Sequence, residues 1–150
     1  MIKLPDLEID PFRFFNEEFK LPEDITSLTP EQLRACHSYW GEQYVYSQSR
    51  VSFFETRLTN INRKRRLRSN QLFVKLKETR RLANDLVRAK VEIDKKIIKL
   101  DDRIEKIESL LTIWRVLMET CRTYMQICSR DQSYREKEVD YYYKRGGKGK

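Results

Sequence analysis

The feature that most constrains this fold is a long stretch without backbone breakers. Between Gly41 and Gly146 there is neither glycine nor proline, a run of 104 residues. Such a run is typical of coiled coils and long helical bundles. At its head, Thr29 can cap a helix, Pro30 suits the first helical position, and Gln32 can close a capping box with Thr29. The sequence therefore predicts an all-α fold whose long helices begin at residue 30.

Apolar residues in this run step by four and three, the spacing of a coiled-coil seam. The first seam consists of Trp40, Tyr44, Ser47, Val51, Phe54, Leu58 and Ile61. The second consists of Leu82, Leu86, Ala89, Ile93, Lys96 or Ile97, Leu100, Ile104, Ile107, Leu111, Trp114, Met118, Cys121, Met125 and Cys128. Two seams in one chain predict a long helical hairpin, with one helix from residue 82 to 128 and a tip within residues 66–80.

The length of the second helix predicts self-association. A helix over residues 82–128 would be about 70 Å long at 1.5 Å per residue. Such an apolar stripe is costly to expose, and we expect one chain to be too short to cover it. We therefore expect a homo-oligomer, a ring or a bundle, whose copies meet along Leu100, Ile104, Ile107, Leu111, Trp114 and Met118.

Three segments are predicted along the chain. Residues 1–29 form an acidic arm that is rich in proline and phenylalanine; its aromatic side chains either pack on the chain's own helices or dock on a partner. Residues 30–143 form the helical domain, which we expect to mediate both oligomerisation and nucleic-acid binding. Residues 144–150 form a flexible basic tail.

Composition and cysteine usage narrow the class of protein. The chain is 39% hydrophobic and 36% charged, and no apolar run approaches the ~18 residues of a membrane span. The N-terminus lacks the basic-then-apolar order of a signal peptide. Three cysteines without CxxC spacing indicate reduced thiols rather than a disulfide framework. We expect a cytoplasmic protein, in the host cytoplasm if it is viral, with no membrane partner.

No residue pattern predicts catalysis. The single histidine, His37, lies beside Cys36 with no partner that the spacing predicts, and a structural role is expected. The four glycines form neither a phosphate-binding loop nor a dinucleotide-binding fingerprint. Cys121 and Cys128 fall on the apolar seam, where we expect core thiols. The sequence predicts no enzyme, no cofactor and no metal.

The basic segment, residues 61–81, is different. It holds nine basic groups and one acid, Glu78, a net +8 that equals the charge of the whole chain. Like charges clustered this way destabilise the free protein and indicate a polyanionic partner. We predict a nucleic-acid contact through Arg63, Lys64, Arg65, Arg66, Arg68, Lys75, Lys77, Arg80 and Arg81. An acidic protein surface and a merely solubilising face are the alternatives.

The kind of nucleic acid is suggested by aromatic residues and by missing motifs. Phe73 and the tyrosines of residues 141–143 could stack on bases, which would favour single strands. No helix-turn-helix, RRM or zinc-finger pattern is present, so we expect no sequence-specific recognition.

The order of elements resembles a known family. Residues 113–121 form an aromatic-led apolar stretch, Ser129-Arg130 follows, and a charged, aromatic-rich helix closes the chain. Earlier, an aromatic helix over residues 39–58 leads into the basic run at 63–68. This layout resembles the UvsY-like recombination mediators of tailed bacteriophages, over roughly residues 33–143. One departure is that the stretch after the basic run lacks the glycine-containing turn of that family.

The resemblance implies a homo-oligomer that binds single-stranded DNA. It further implies that the protein loosens a single-strand-binding protein and helps to load a RecA-type recombinase. The alternative function is a coiled-coil structural or adaptor protein, of the phage neck or scaffold type, whose basic segment binds an acidic protein.

Overall fold

A computed structural model describes residue 14 and residues 16–80 and 82–146. Two 3-10 helices, Glu17–Phe19 and Ile25–Ser27, precede helices α1 (Pro30–Arg80), α2 (Asn84–Glu92) and α3 (Lys95–Gly146). Every regular element in the described ranges is helical. The predicted all-α class is confirmed, and α1 and α3 are its long, mutually packed pair.

Helix α1 begins as the capping signal predicts. The backbone N–H of Thr29 donates to Gln32 Oε1 at 2.9 Å, and the N–H of Gln32 donates to Thr29 Oγ1 at 3.2 Å. This reciprocal pair satisfies two backbone donors that the first helical turn would otherwise leave without partners.

The turn after α1 lies further along the chain than predicted. Helix α1 continues without interruption to Arg80, and the next described residues outside a helix are Leu82 and Ala83. The expected tip within residues 66–80 is therefore wrong. No glycine or proline interrupts that range, and Leu72 and Leu76 continue the inward stripe of the helix, so nothing in it stops helix propagation.

The prediction of a single helix over residues 82–128 is also wrong, because the helix is interrupted at Ile93 and Asp94. The Asp94 carboxylate accepts hydrogen bonds from the backbone N–H groups of Lys96 at 3.0 Å and Ile97 at 3.2 Å. Asp94 therefore caps α3, and α2 ends before it. A short polar side chain that can bond the next turn is a strong helix start even inside a continuous apolar pattern.

The break changes which residues of the second seam face inward. Val87 and Val91 of α2 are buried, whereas the predicted seam members Leu86 and Ala89 of α2, and Ile93 just after it, are exposed. From Ile97 onward the predicted register is correct. Ile107, Leu111, Trp114, Cys121 and Cys128 are buried; Leu100, Ile104, Met118 and Met125 are half-buried.

The chain divides into two compact units. The first comprises residues 1–48 and 115–150, and the second comprises Ser49–Trp114. In the first unit, Leu33, Cys36 and Trp40 of α1 and Cys121 and Cys128 of α3 are buried. Ser47 is also fully buried, and its hydroxyl donates to the carbonyl oxygen of Gln43 at 2.8 Å, one helical turn earlier. That local bond lets a polar side chain lie in the core.

The described part of the arm packs on the helices of the first unit. Phe19 stacks on Tyr39 with ring centroids 4.2 Å apart, and Trp40 Nε1 donates to the Phe19 carbonyl oxygen at 3.0 Å. The Arg135 guanidinium donates to the carbonyl oxygens of Leu28 at 2.7 Å and Ile25 at 3.2 Å. Of the two alternatives for the aromatic arm, packing on the chain's own helices holds for these residues. Phe12 and Phe15 lie outside the described residues.

The second unit is built from the rest of α1, all of α2 and the start of α3. Its buried apolar residues are Val51, Phe54, Val87, Val91, Ile97, Ile107, Leu111 and Trp114. The Arg50 guanidinium lies 5.1 Å from the ring centroid of Phe54 and 5.5 Å from that of Trp114. This cation is held against aromatic faces, where the ring quadrupoles stabilise it.

Helix α3 continues beyond residue 143 to Gly146. Residues 144–146, which the sequence assigns to a flexible tail, are therefore part of the last helical turn. Residues 147–150 lie outside the described range.

Candidate nucleic-acid interface

Eight of the nine predicted contact residues lie on α1 between Arg63 and Arg80, and the ninth, Arg81, lies outside the described residues. Successive residues of an α-helix are about 100° apart around its axis. A dense run of cations therefore cannot face one direction. The structure separates the eight into an outward set and an inward pair.

The outward set is exposed and almost free of acids. It comprises Arg63, Lys64, Arg66, Lys75, Lys77 and Arg80, which we call the exposed cation set. None of the six forms an ion pair within the described part of the chain. Glu78 is the one acid between residues 56 and 80. These cations lie in water with their charge available to an external anion.

The inward pair, Arg65 and Arg68, is occupied within the chain. Arg65 Nη2 lies 2.9 Å from Glu92 Oε2 and 3.2 Å from Asp101 Oδ2, and its Nε also pairs with the Asp101 carboxylate. The hydrogen bond to Asp101 raises the pKa of Arg65 further above its usual value. The guanidinium thus bridges the end of α2 and the first turns of α3.

Arg68 makes a looser pair with the residue that caps α3. Its Nη2 lies 3.6 Å from Asp94 Oδ2, and both side chains are half-buried. Asp94 thus caps α3 through one oxygen and faces Arg68 through the other. Both inward arginines thus face carboxylates of the second unit, and less of their charge is open to an external polyanion than that of the exposed cation set.

The sequence contained a signal for this division. The four-three stepping of the first seam continues past Ile61 to Arg65, Arg68 and Leu72. All four side chains are half-buried in the structure. Extending the apolar register through the basic run separates the inward arginines from their neighbours. Inward arginines need carboxylates opposite them, and Asp94 and Asp101 are these partners in the structure; the sequence prediction did not include them.

Two apolar side chains interrupt the exposed face of the basic segment. Leu67 and Val74 are each 51% exposed and are seven residues apart, so they lie on one side of α1. Phe73, expected to stack on bases, is half-buried. The surface therefore consists of cations spread around the exposed side of α1 with two aliphatic side chains among them, and it presents no open aromatic ring.

The other residues considered for chemistry have structural surroundings. His37 Nε2 lies 3.0 Å from Ser129 Oγ. Burial raises the pKa of Cys121 and of Cys128 to about 11, so both are protonated thiols at neutral pH. A buried, protonated thiol is a poor nucleophile. Among the described residues no group of three side chains could hold a metal ion, and no described helix is long and apolar enough to cross a membrane.

Comparison with known proteins adds no relative. No protein-family model, curated protein or solved structure matches this chain.

Proposed function

We propose that this protein is a single-stranded-DNA-binding recombination mediator. In this role it is not an enzyme: it helps to load a RecA-type recombinase onto DNA covered by single-strand-binding protein, in the cytoplasm of a bacterium or of a phage's host. The observation that carries the proposal is the exposed cation set, six cations accompanied by one acid on eighteen residues of a single helix. The resemblance of element order to the UvsY-like mediators supplies the biological context.

The mechanism follows from electrostatics rather than bond chemistry. Each cation that neutralises a phosphate releases a condensed counterion, so affinity depends steeply on salt. Several copies that each present the exposed cation set would hold one strand by multivalency. A strand held at many weak contacts can be transferred to a recombinase as the contacts of the competing protein open.

Self-association is part of the proposal, but the residues that support it are not those of the predicted oligomer seam. Ile107, Leu111 and Trp114 of the predicted oligomer seam are buried within the single chain, and Leu100, Ile104 and Met118 are half-buried. A single chain therefore covers half of these six residues fully and the other half in part. Leu86 on α2 and Ile93 just after it, 48% and 71% exposed, are apolar side chains that a second copy could cover instead. Light scattering tests this, and a mass near 18.3 kDa at micromolar concentration contradicts it.

The DNA-binding test replaces Arg63, Lys64 and Arg66 with alanine. We expect much weaker binding to oligo(dT), measured by fluorescence anisotropy. The slope of log K against log salt should fall by about two units, because each lost phosphate contact removes about 0.7 from it. All three side chains are exposed, so the circular-dichroism melting curve should not change.

A matched control removes three exposed cations from α3, at Lys99, Arg103 and Lys106. These lie among acids such as Asp102 and Glu105, where signs alternate. The control changes net charge equally and should leave most of the affinity. Equal losses in both variants would mean that overall charge alone attracts DNA, and that the exposed cation set is not a site.

An acidic protein is the second candidate partner, and Leu67 and Val74 favour it. Exposed aliphatic side chains between cations suit a protein surface that has apolar groups among carboxylates better than they suit phosphates. This reading gives the structural or adaptor function. Replacing Leu67 and Val74 with serine separates the two kinds of contact: affinity for oligo(dT) should be unchanged, whereas affinity for an acidic protein that uses these side chains should fall. The mediator role is tested directly with a RecA-type recombinase on DNA coated with single-strand-binding protein. Loading of the recombinase is followed by its ATPase rate, which should rise when this protein is added.

A further inference from the structure

The last three turns of α3 are covered by nothing in the described structure. Arg135 is the final residue of α3 that bonds the arm, through the carbonyl oxygens of Leu28 and Ile25. From residue 136 to residue 145 every side chain is exposed. These turns gain no stabilisation from tertiary packing in the described structure, so an exposed end with large aromatic residues indicates a surface that is used for binding.

Three consecutive tyrosines lie on this exposed end. Tyr141, Tyr142 and Tyr143 are 51%, 74% and 80% exposed. The Arg145 guanidinium lies 4.8 Å from the ring centroid of Tyr141, and the rings of Tyr141 and Tyr142 meet edge to face at 6.2 Å. One ring thus already has a cation over it, while Tyr142 and Tyr143 keep the larger share of their ring surface open to solvent.

Charge distinguishes the end of this helix from the turn before it. Glu136, Glu138 and Asp140 precede the tyrosines, but from residue 141 to residue 150 there is no acid. That last stretch contains four cations, Lys144, Arg145, Lys148 and Lys150. Open aromatic rings followed by cations without acids match single-stranded nucleic acid, whose unpaired bases stack on rings while its phosphates pair with cations.

We propose that residues 141–145 form a second contact for single-stranded nucleic acid, in which Tyr142 and Tyr143 stack on unpaired bases and Lys144 and Arg145 face the adjoining phosphates. The inference rests on the proposed function and deepens it, because it supplies a preference for single strands. Bases inside a duplex have no free faces, so stacking discriminates against duplex DNA. The exposed cation set of α1 would bind both forms through their phosphates.

The test replaces Tyr142 and Tyr143 with alanine in the full chain. Alanine is the best helix former, so the substitutions keep the helix. Affinity for oligo(dT) should fall about tenfold or more, since one stacked base contributes roughly five- to a hundredfold by alanine substitution. The salt slope and the affinity for a duplex of the same length should not change. The matched control, Tyr142→Phe with Tyr143→Phe, keeps both rings and should bind like the unaltered protein.

A direct readout accompanies the affinities. Oligo(dT) that carries 5-iodouracil should photocrosslink to the peptide containing residues 142 and 143, and the alanine variant should lose that crosslink. If the unaltered protein binds oligo(dT) and the alanine variant binds equally well, the stacking contact is wrong while the proposed function stands. If the unaltered protein does not bind oligo(dT), both are wrong. A smaller mass by light scattering for the alanine variant would place the tyrosines between copies and overturn the inference.

Discussion

The inward face of α1 is built differently in the two units of the chain. In the first unit Leu33, Cys36, Trp40 and Ser47 of this face are buried, and Tyr44 is half-buried. In the second unit Val51 and Phe54 continue this buried face, but beyond them the same four-three stepping brings Ile61, Arg65, Arg68 and Leu72 inward, and all four are half-buried. One helix with one periodicity thus forms a buried core in the first unit and a partly exposed, ion-paired layer further along the chain.

The difference follows from what else packs on the helix. The first unit has a third layer, the described arm, whose Phe19 stacks on Tyr39 and accepts a hydrogen bond from Trp40. Opposite the inward arginines the second unit has the end of α2, a helix of nine residues, and the start of α3. Charge in a seam is tolerated where water still reaches it, because the desolvation penalty is then small. The exposure of a seam therefore decides whether arginine can occupy it.

The largest expected contrast is between apolar truncations in the two units. Trp40→Ala should lower the free energy of unfolding by about 3–5 kcal/mol, the usual cost for a buried tryptophan, because Trp40 is 3% exposed and also bonds Phe19. Leu72→Ala should cost about 1–2 kcal/mol, since a half-buried leucine loses less of its burial energy. Urea unfolding followed by circular dichroism measures both. Equal costs would mean that the two faces are equally closed.

Buried thiols make the stability of the first unit sensitive to alkaline pH, whereas the second unit contains no cysteine. Burial raises the pKa of Cys121 and Cys128 from 9.0 to about 11. The folded state therefore holds these protons more tightly than the unfolded state. Their stabilising contribution is complete below pH 9 and is lost as pH rises toward 11.

Thermal melts across this pH range should show stability falling between pH 9 and 11. The variant with Cys121→Ala and Cys128→Ala should lose on the order of 1 kcal/mol for each sulfur at neutral pH. Its alkaline decline should be shallower than that of the unaltered protein. An identical decline in both proteins would assign the pH dependence to other groups.

The smallest effect separates neighbouring arginines within the second unit. Arg65→Ala should lower the free energy of unfolding by about 1 kcal/mol, because it leaves Asp101 and Glu92 without their cation in a partly exposed layer. Arg66→Ala should leave stability unchanged and weaken oligo(dT) binding, since Arg66 is exposed. The melting temperature and the affinity for oligo(dT) are measured for both variants. Loss of stability in Arg66→Ala would contradict the division into outward and inward cations.

Much of the helical architecture followed from local chemistry in the sequence. The capping box at Thr29 and Gln32 and the inward register of Trp40, Val51 and Phe54 are set by spacing and hydrogen-bonding capacity, which a sequence displays directly. The register from Ile97 to Cys128 was likewise predictable. These features depend on residues a few positions apart, so no knowledge of distant contacts was needed.

The errors lie where two local signals competed. Asp94 is a cap in the middle of an apolar pattern, and the pattern alone gave no reason to prefer the break. The range 66–80, where the hairpin tip was expected, contains polar residues but neither glycine nor proline, and the helix continues through it to Arg80. At the candidate site, counting cations overstated the available charge, because Arg65 and Arg68 are paired with carboxylates about 26 to 36 residues away in sequence. Such distant pairs become visible only when the register is carried through the charged run.

The division of the chain also sets an order of assembly. The second unit is one continuous segment, Ser49–Trp114, whereas the first joins residues 1–48 to residues 115–150. The Arg135 bonds to Leu28 and Ile25 span 107 and 110 residues of sequence, so the first unit must close a long loop before its contacts form. During synthesis the second unit is complete when Trp114 leaves the ribosome, and the first waits for the C-terminal end. Pulsed hydrogen exchange during refolding should therefore protect amides near Ile107 before those near Cys128; simultaneous protection would mean that the chain folds as one cooperative whole.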